Sequence, residues 1–338
     1  MSALTQEKAI IAFKTLGKRL AHPTDVLGDQ IYQVQNNNAW FTIENIERSI
    51  LSFSEMLNDE DLAQWFKTAS FTSSPKKVGL ILAGNIPMVG FHDVLCVLAT
   101  GNIALIKLSS SDDKLIKIII TALINIEPAF ADRIEYVERL KDFDAVIATG
   151  SNNSSRYFDY YFGKVPNIIR KNRNSVAVLD GTETPEEIKN LGADIFDYFG
   201  LGCRNVSKVF YPKGYDIAHF YEGIEGYNDI INHFKYQNNY DYNKSIYLVN
   251  AAKHFDNGFL LLKEDEHLTS PLAVLFYQEY EDITAVEDQL KANSEQIQCV
   301  LSKAPLNVET FNFGESQHPK LWDYADNVNT IEFLNTLA

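Results

Sequence analysis

Cys203 lies in a short segment, Gly200–Asn205, whose composition suits a reactive thiol. Glycines at positions 200 and 202 let the backbone turn sharply and approach a ligand closely. Arg204 follows the cysteine directly, and a neighbouring positive charge favours the thiolate, the nucleophilic form of the side chain. Such a cysteine can attack a carbonyl carbon. Most cysteines are instead small buried hydrophobes, and from this segment alone that alternative stays open.

Three polar clusters, beginning at Asn85, Lys107 and Thr149, each follow or end a short apolar run. In a doubly wound sheet, ligands bind beyond the carboxyl ends of the strands, so the clusters predict one binding edge. Each cluster also has an ordinary interpretation. Asn85 would serve as a helix N-cap, Lys107 as a surface lysine at a strand end, and Ser151 as the cap of a helix without a ligand.

The elements that position these residues alternate between helix and strand. Apolar spacing predicts helices over residues 6–70, 85–99, 112–126 and 186–200, with Pro87 in the first turn of the second. Short apolar runs predict strands over 78–84, 102–108, 144–151, 175–180, 208–212, 246–249 and 272–277. The polar segment Tyr236–Asn243 is predicted to be an exposed connection. This order predicts an α/β fold with parallel, doubly wound sheets.

Composition limits the possible partners. The chain has 338 residues, 46% of them hydrophobic and 22% charged, and its net charge of −15 argues against a general nucleic-acid binder. Its three cysteines have neither disulfide nor zinc-site spacing, so no metal is expected. The N-terminus is polar and no apolar run reaches the length of a membrane span, so a cytoplasmic location is expected.

Taken in order, the motifs resemble those of the aldehyde dehydrogenase superfamily. The matching segments are Ala83–Pro87, Ala99–Asn102, Ile106–Lys107, Ala148–Ser151 and Gly202–Cys203. Within that superfamily the sequence is most similar to the acyl-CoA reductases, the LuxC-type fatty acyl reductases, through Phe91–Asp93, Lys107–Ser110, Gly200–Lys208 and Trp322–Asp326. The resemblance covers about residues 78 to 335.

The resemblance implies an aldehyde-dehydrogenase-like fold of two doubly wound α/β lobes, with the active site in the cleft between them. Residues 1–172 are then a helical N-terminal segment followed by a dinucleotide-binding domain. Residues 173–338 are a catalytic domain that carries the cysteine, with a C-terminal tail that packs back on the first domain.

The same resemblance implies a role for each candidate residue. Cys203 attacks the acyl carbon of a thioester, and Asn85, with a backbone N–H near the cysteine, holds the oxyanion of the tetrahedral intermediate. Lys107 contacts the ribose or phosphate on the adenosine side of a dinucleotide. Ser110 stands where relatives that prefer NAD have a glutamate that accepts the 2′-hydroxyl, which favours NADPH over NADH.

Two further sites follow from the resemblance. Gly150 and Ser151 open a helix that cradles the pyrophosphate. The glutamate that contacts the nicotinamide ribose in relatives falls at His267, or at Glu266 if the register slips by one. Either residue could equally belong to a solvated loop.

One departure from the wider superfamily bears on the reaction. Hydrolytic aldehyde dehydrogenases have a general-base glutamate where this sequence has Ile168–Asn172, which contains no carboxylate. An acyl-enzyme without that base suits exchange with a thiol better than hydrolysis. We therefore expect reduction of acyl-CoA, or of an acyl-carrier thioester, to an aldehyde by a homodimer. The alternatives are a hydrolytic aldehyde dehydrogenase and a non-redox protein that binds thioesters or transfers acyl groups.

Overall fold

The computed structural model describes residues 3–337, except for the side chains of Asp25 and Asn152. The chain divides into two compact units. The first runs up to Asn172 and includes the segment that starts at Pro319, and the second spans Arg173–His318. None of the helices in the described residues is both long and apolar enough to cross a membrane.

The first unit begins with the predicted helical region. Four helices form it: α1 (Gln6–Ala21), α2 (Asp25–Gln33), α3 (Ile43–Met56) and α4 (Asp59–Trp65). Threonine side chains accept backbone N–H groups at the starts of α1 and α3, and Asn58 does so for α4. Their buried faces, which include Phe13 and Trp65, join the hydrophobic core of this unit.

A five-stranded parallel sheet completes the first unit, as the alternating pattern predicts. Its strands are β1 (Lys77–Ile81), β2 (Ile103–Lys107), β3 (Ile134–Tyr136), β4 (Ala145–Thr149) and β5 (Asn167–Arg170), in the order β3-β2-β1-β4-β5. The helices between them are α5 (Phe91–Ala99), α6 (Leu115–Ile126) and α7 (Asn152–Phe162).

The predicted start of α5 at Asn85 is wrong. The helix begins at Phe91, and residues 85–90 form bends and turns instead. Met88 has a φ of 59°, in the left-handed region, and its N–H donates to the carboxylate of Asp112 over 2.7 Å. This long-range hydrogen bond holds a non-helical backbone that the Pro87 signal could not reveal.

The second unit contains a six-stranded sheet. Its strands are β6 (Asn174–Val178), β7 (Val206–Pro212), β8 (Phe255–Asp256), β9 (Leu261–Glu264), β10 (Val274–Tyr280) and β11 (Ile297–Leu301). Their order is β11-β6-β7-β10-β9-β8, and every pairing is parallel except that of β8 with β9. The helices are α8 (Pro185–Phe196), α9 (Ile217–Ile224), α10 (Phe234–Val249) and α11 (Ile283–Ala292).

Two sequence predictions fail in α10. The strand predicted over 246–249 and the connection predicted over 236–243 both belong to this one helix. Its buried residues, Tyr236, Tyr240, Asn243 and Tyr247, recur every three or four positions and so form one helical face. These buried residues are tyrosines and an asparagine rather than aliphatic residues. A search for periodic hydrophobic residues therefore does not detect the helix.

The segment from Pro319 packs into the first unit. It ends in helix α12 (Thr330–Asn335), and Leu321, Tyr324, Ile331 and Leu334 are buried in that unit's core. The indole N–H of Trp65 donates to the Tyr324 hydroxyl over 3.0 Å. The first unit is therefore built from two stretches of sequence that are separated by the whole second unit.

Candidate active site

The three polar clusters of the first unit lie at one edge of its sheet. Strands β2, β1 and β4 are adjacent and parallel, so their carboxyl ends point the same way. Asn85 follows the end of β1, Lys107 is the last residue of β2, and Gly150 follows β4 directly. Parallel α/β sheets bind their ligands at this edge.

Asn85 is exposed in the turn that follows β1. Its interpretation as the N-cap of α5 is wrong, because Gly90 occupies that position. The preceding residue, Gly84, packs against the loop after β2, where a Cβ atom on it would lie 2.6 Å from the Ser109 hydroxyl oxygen. A side chain at position 84 would therefore push the two loops apart.

The buried side chain of Asp112 links these two loops. One carboxylate oxygen accepts the Met88 N–H, and the other has no hydrogen-bond partner among the described residues. Burial raises the pKa of Asp112 to about 6, although backbone N–H groups of Met88, Ile116 and Leu115 lower it in part. The sequence did not reveal this role of Asp112, because an aspartate just before a helix is commonly a helix N-cap.

The loop after β2 presents a cation and a hydroxyl. Lys107 is half-buried at the strand end, and Ser110 is exposed three residues later. The Ser109 hydroxyl accepts the N–H of Ser111 over 3.2 Å, which shapes the turn between them. An ammonium group and an exposed hydroxyl on the same loop can receive the phosphate or ribose of an anionic dinucleotide.

Gly150 and Ser151 lead into α7. The Ser151 hydroxyl caps this helix by accepting the N–H of Ser154 over 3.2 Å. A Cβ atom on Gly150 would come within 2.7 Å of the Phe158 ring. The glycine therefore allows the backbone before α7 to pack closely against this ring. The start of an 11-residue helix favours an anion, as a pyrophosphate site requires.

In the second unit, Cys203 lies half-buried in the turn between α8 and β7 and forms no disulfide. The non-helical segment Asp197–Gly200 leads into this turn. Tyr198, Phe199 and Gly200 all have φ values in the left-handed region, at 54°, 60° and 76°. Two non-glycine residues in that region carry backbone strain, which surrounding contacts must offset.

Asn205 provides such contacts. Its side-chain oxygen accepts the Gly202 N–H over 2.8 Å, and its amide nitrogen donates to the carbonyls of Asp194 and Asp197 over 3.0 and 2.9 Å. The hydroxyl of Ser175 on β6 donates to the Cys203 carbonyl over 3.0 Å. These bonds fix the backbone of the cysteine turn, and neither residue was singled out from the sequence.

Arg204 reaches a second cysteine. Its guanidinium lies 3.3 Å from the sulfur of Cys299 and 6.0 Å from the Phe311 ring centre. Cys299 is buried inside strand β11. The positive charge predicted beside Cys203 is thus in part engaged with a neighbouring strand.

His267 is highly exposed, with 83% of its side chain accessible, and lies 2.6 Å from a carboxylate oxygen of Asp265. Partial burial raises the pKa of Asp265, but hydrogen bonds from Lys263 and His267 outweigh it and lower that pKa overall. Glu266, the alternative to His267, is also exposed. The structure therefore leaves both side chains accessible to a ligand.

A buried cation lies in the segment where the resemblance places the general-base glutamate of hydrolytic relatives. Arg170, at the end of β5, forms an ion pair with Asp93 of α5 and donates to the Thr330 hydroxyl over 3.0 Å. Arg170 is 4% exposed and Asp93 is also 4% exposed. This pair joins a strand, a helix and the returning segment, so its role is structural.

Comparison with known proteins places these features in a family. A sequence-family profile described as acyl-CoA reductase (LuxC) matches residues 31–221, more than half of the chain. No curated protein sequence matches. The matched range includes Asn85, Lys107 and Cys203 but not His267.

Solved structures with the same fold are aldehyde dehydrogenases and related enzymes. Aldehyde dehydrogenase 21 of Physcomitrella patens, in complex with the reaction product succinate, is similar with a TM-score of 0.69 and 11% identity, over 98% of this chain and 85% of that one. An NADP-dependent enzyme of E. coli has a TM-score of 0.67 and 12% identity, over 90% and 74%. An NAD-dependent benzaldehyde dehydrogenase of Corynebacterium glutamicum has 0.65 and 11%, over 89% and 76%. At these identities the likeness establishes the fold.

Proposed function

Because the chain belongs to the acyl-CoA reductase (LuxC) family, we propose that it reduces an acyl thioester to an aldehyde through an acyl-enzyme on Cys203, with a nicotinamide cofactor as electron donor. Membership of this family makes the chain an NAD(P)H-linked oxidoreductase. The single observation that supports the cysteine is its position, half-buried in a turn whose backbone is fixed by Asn205 and Ser175.

The first half-reaction transfers the acyl group to the protein. The thiolate of Cys203 adds to the acyl carbon, the thioester C–S bond breaks, and CoA leaves as a thiol after taking up a proton. Asn85 is the proposed donor to the oxyanion of the tetrahedral intermediate. An exposed amide at the carboxyl end of β1, in a turn rather than at a helix cap, supports this role.

The second half-reaction releases the aldehyde. When bound, a reduced nicotinamide supplies a hydride. The acyl-enzyme carbonyl on Cys203 accepts it and becomes a tetrahedral thiohemiacetal anion. Collapse of this anion breaks the bond between carbon and sulfur, frees the aldehyde and returns the Cys203 thiolate.

The fate of the acyl-enzyme depends on whether water is activated. Arg170 is buried against Asp93 in the segment where hydrolytic relatives have a glutamate, and a guanidinium cannot act as a base. This supports exchange with a thiol and reduction, rather than formation of a free acid.

The residues of the first unit fit a dinucleotide, and we propose NADPH as the preferred one. The start of α7, which Ser151 caps, suits the pyrophosphate, and Lys107 suits a phosphate on the adenosine side. Ser110 contributes an exposed hydroxyl where a carboxylate would repel a 2′-phosphate. His267, or Glu266, is proposed to contact the nicotinamide ribose.

The substrate and assembly belong to the same proposal. The substrate is acyl-CoA or an acyl-carrier thioester, and the protein is expected to act in the cytoplasm as a homodimer. Light scattering of the purified chain measures the oligomeric state directly, and a monomeric mass would remove the homodimer from the proposal.

The experiment follows the acyl group and the cofactor separately. The purified chain is mixed with radiolabelled acyl-CoA of several chain lengths without nicotinamide, and the labelled peptide is identified. NADPH is then added and its absorbance is followed. We expect a thioester on the peptide that contains Cys203, and NADPH oxidation in step with aldehyde release.

Two cysteine variants test whether Cys203 is the acylated residue. Cys203→Ala is expected to lose both labelling and NADPH oxidation, whereas Cys96→Ala, at a cysteine buried in α5, keeps both. NADPH oxidation by the Cys203→Ala variant with acyl-CoA would refute the mechanism. Labelling of Cys203 with no oxidation of either nicotinamide would indicate the non-redox alternative, and release of free acid would indicate a hydrolytic enzyme.

A further inference from the structure

Lys208 is a fully buried lysine, five residues after Cys203 on strand β7. Its ammonium donates to the carbonyls of Asp265 and Glu266, over 3.0 Å each, and to the side-chain oxygen of Gln278 over 2.8 Å. All three acceptors are neutral oxygens. Burial of this kind is costly, so a lysine here needs a structural or functional reason.

The lysine has the right number of donors for these acceptors. Burial lowers the pKa of Lys208 to about 8, so at neutral pH most molecules still carry the ammonium with its three N–H groups. The Gln278 amide also donates to Gln289 on α11 over 3.2 Å, which fixes the third acceptor. Lys208 is therefore saturated by the segment that contains Asp265 and Glu266 and by β10.

The neighbouring residues bind the rest of that segment, which we name the 265–269 loop. The hydroxyl of Ser207 donates to the Leu268 carbonyl over 2.7 Å. The side chain of Asn174, at the start of β6, donates to the Thr269 hydroxyl over 2.6 Å. Two adjacent strands thus bind four of the five residues of the loop.

The same two strands also hold the cysteine turn. Ser175, next to Asn174, donates to the Cys203 carbonyl, and Asn205, just before β7, accepts the Gly202 N–H. The 265–269 loop and the cysteine turn are consequently attached, through different side chains, to one short piece of sheet.

We propose that Lys208, assisted by Ser207, is a positioning residue that fixes the 265–269 loop, with His267 and Glu266, relative to the cysteine turn. This inference rests on the proposed function, in which that loop contacts the nicotinamide ribose. Acyl transfer to Cys203 needs no nicotinamide, whereas reduction does. Loss of the lysine should therefore slow reduction and leave acylation nearly intact.

The test compares three variants. Lys208→Met removes the donors but keeps the length of the side chain, and Ser207→Ala removes only the bond to Leu268. Lys213→Met is the matched control, because Lys213 lies one residue beyond β7, is exposed, and forms an ion pair with the exposed Glu281. Amide hydrogen exchange is measured on the chain without cofactor, followed by acylation and reduction kinetics.

We expect faster amide exchange across 265–269 in Lys208→Met and, to a smaller degree, in Ser207→Ala. Acylation of Cys203 by acyl-CoA should stay within about twofold of the parent chain, while kcat/KM for the nicotinamide falls about tenfold or more, mainly through KM. Lys213→Met should match the parent in every measurement. If Lys208→Met does not fold, Ser207→Ala decides the question alone.

Several outcomes would overturn the inference. Unchanged exchange in the loop would mean that these bonds do not hold it. An equal loss of acylation and reduction would mean that Lys208 only supports the fold. A parent chain that never oxidises a nicotinamide would instead overturn the proposed function, and loop exchange would still show whether Lys208 holds the loop.

Discussion

A single buried carboxylate joins the two loops that present Asn85 and Lys107. Asp112 accepts the N–H of Met88, whose left-handed backbone shapes the turn after Asn85, and it lies in the loop that follows Lys107. Its charge is costly in that position, since burial raises its pKa to about 6. The position of the proposed oxyanion donor therefore depends on a carboxylate whose pKa is raised to about 6.

Replacing Asp112 with asparagine should change how stability depends on pH. The pKa of Asp112 is raised in the folded chain, so the cost of its charge is absent below about pH 4, grows as the pH rises, and is complete above about pH 6. This cost is about 3 kcal/mol. Asp112→Asn should therefore gain stability relative to the parent between pH 4 and pH 7, as measured by thermal unfolding.

The charge of the neighbouring Asp113 contributes to the raised pKa of Asp112, so Asp113 provides a graded comparison. Asp113→Asn removes that contribution alone, and its pH dependence should fall between those of the parent and Asp112→Asn. Parallel curves for Asp112→Asn and the parent would contradict the assigned cost.

Cofactor preference is also decided at the scale of one residue. Ser110→Glu places a carboxylate beside Lys107, where it can accept a ribose 2′-hydroxyl and repel a 2′-phosphate. We expect the preference for NADPH over NADH to fall about tenfold or more, measured as the ratio of kcat/KM values. Ser111→Glu adds the same charge one exposed position later and should leave the ratio close to that of the parent. An equal shift in both variants would indicate a long-range charge effect instead.

At the scale of elements, the cysteine turn combines strain with reinforcement. The left-handed run Tyr198–Gly200 directs the chain into the turn, and the three side-chain hydrogen bonds of Asn205 close it. Asn205 is 3% exposed, so water cannot replace these bonds. The Asn205 side chain therefore helps to fix the orientation of the Cys203 backbone.

Asn205→Ala should destabilise the second unit and impair acylation. It leaves one N–H and two carbonyls without their partner, for a cost of about 2 to 4 kcal/mol in the free energy of unfolding. Denaturant unfolding measures this cost, and the rate of Cys203 labelling by acyl-CoA should fall together with it. Asn232→Ala, at an exposed asparagine, should change neither quantity. Normal labelling in Asn205→Ala would show that the turn does not need this support.

The helices and strands also show which parts of the fold can be predicted from the sequence. Buried parallel strands such as β1 and β4 are continuous apolar runs, and the sequence predicts them well. Local signals failed at α5, where a distant carboxylate holds the turn, and at α10, where tyrosines form the buried face. The composition of its segment identified Cys203 as a candidate nucleophile and the resemblance supported it. Asn205, Ser175 and Lys208 instead act through contacts between distant residues, which no local pattern encodes.

At the scale of the whole molecule, the first unit depends on the segment that starts at Pro319. Leu321 is fully buried in its core, and Asn335 donates from its side chain to the Thr68 carbonyl over 2.8 Å. All three tryptophans of the chain, Trp40, Trp65 and Trp322, belong to this unit. Tryptophan fluorescence therefore reports the unfolding of the first unit.

Leu321→Ala should destabilise the first unit alone. Removing this buried side chain costs about 2 to 5 kcal/mol, so the urea midpoint seen by tryptophan fluorescence should fall. Val328→Ala, at a residue that is 38% exposed, should shift that midpoint very little. Amide exchange in β7 should stay at the parent's level in Leu321→Ala, and a large increase there would show that the two units unfold together.

The split of the first unit also sets an order of events on the ribosome. Residues 173–318 emerge as one uninterrupted stretch and can fold once they have left the exit tunnel. The nascent helices and strands before them must wait, with part of their apolar surface uncovered, until residues 319–337 leave the exit tunnel. The half of the molecule that is translated first is therefore the half that is completed last.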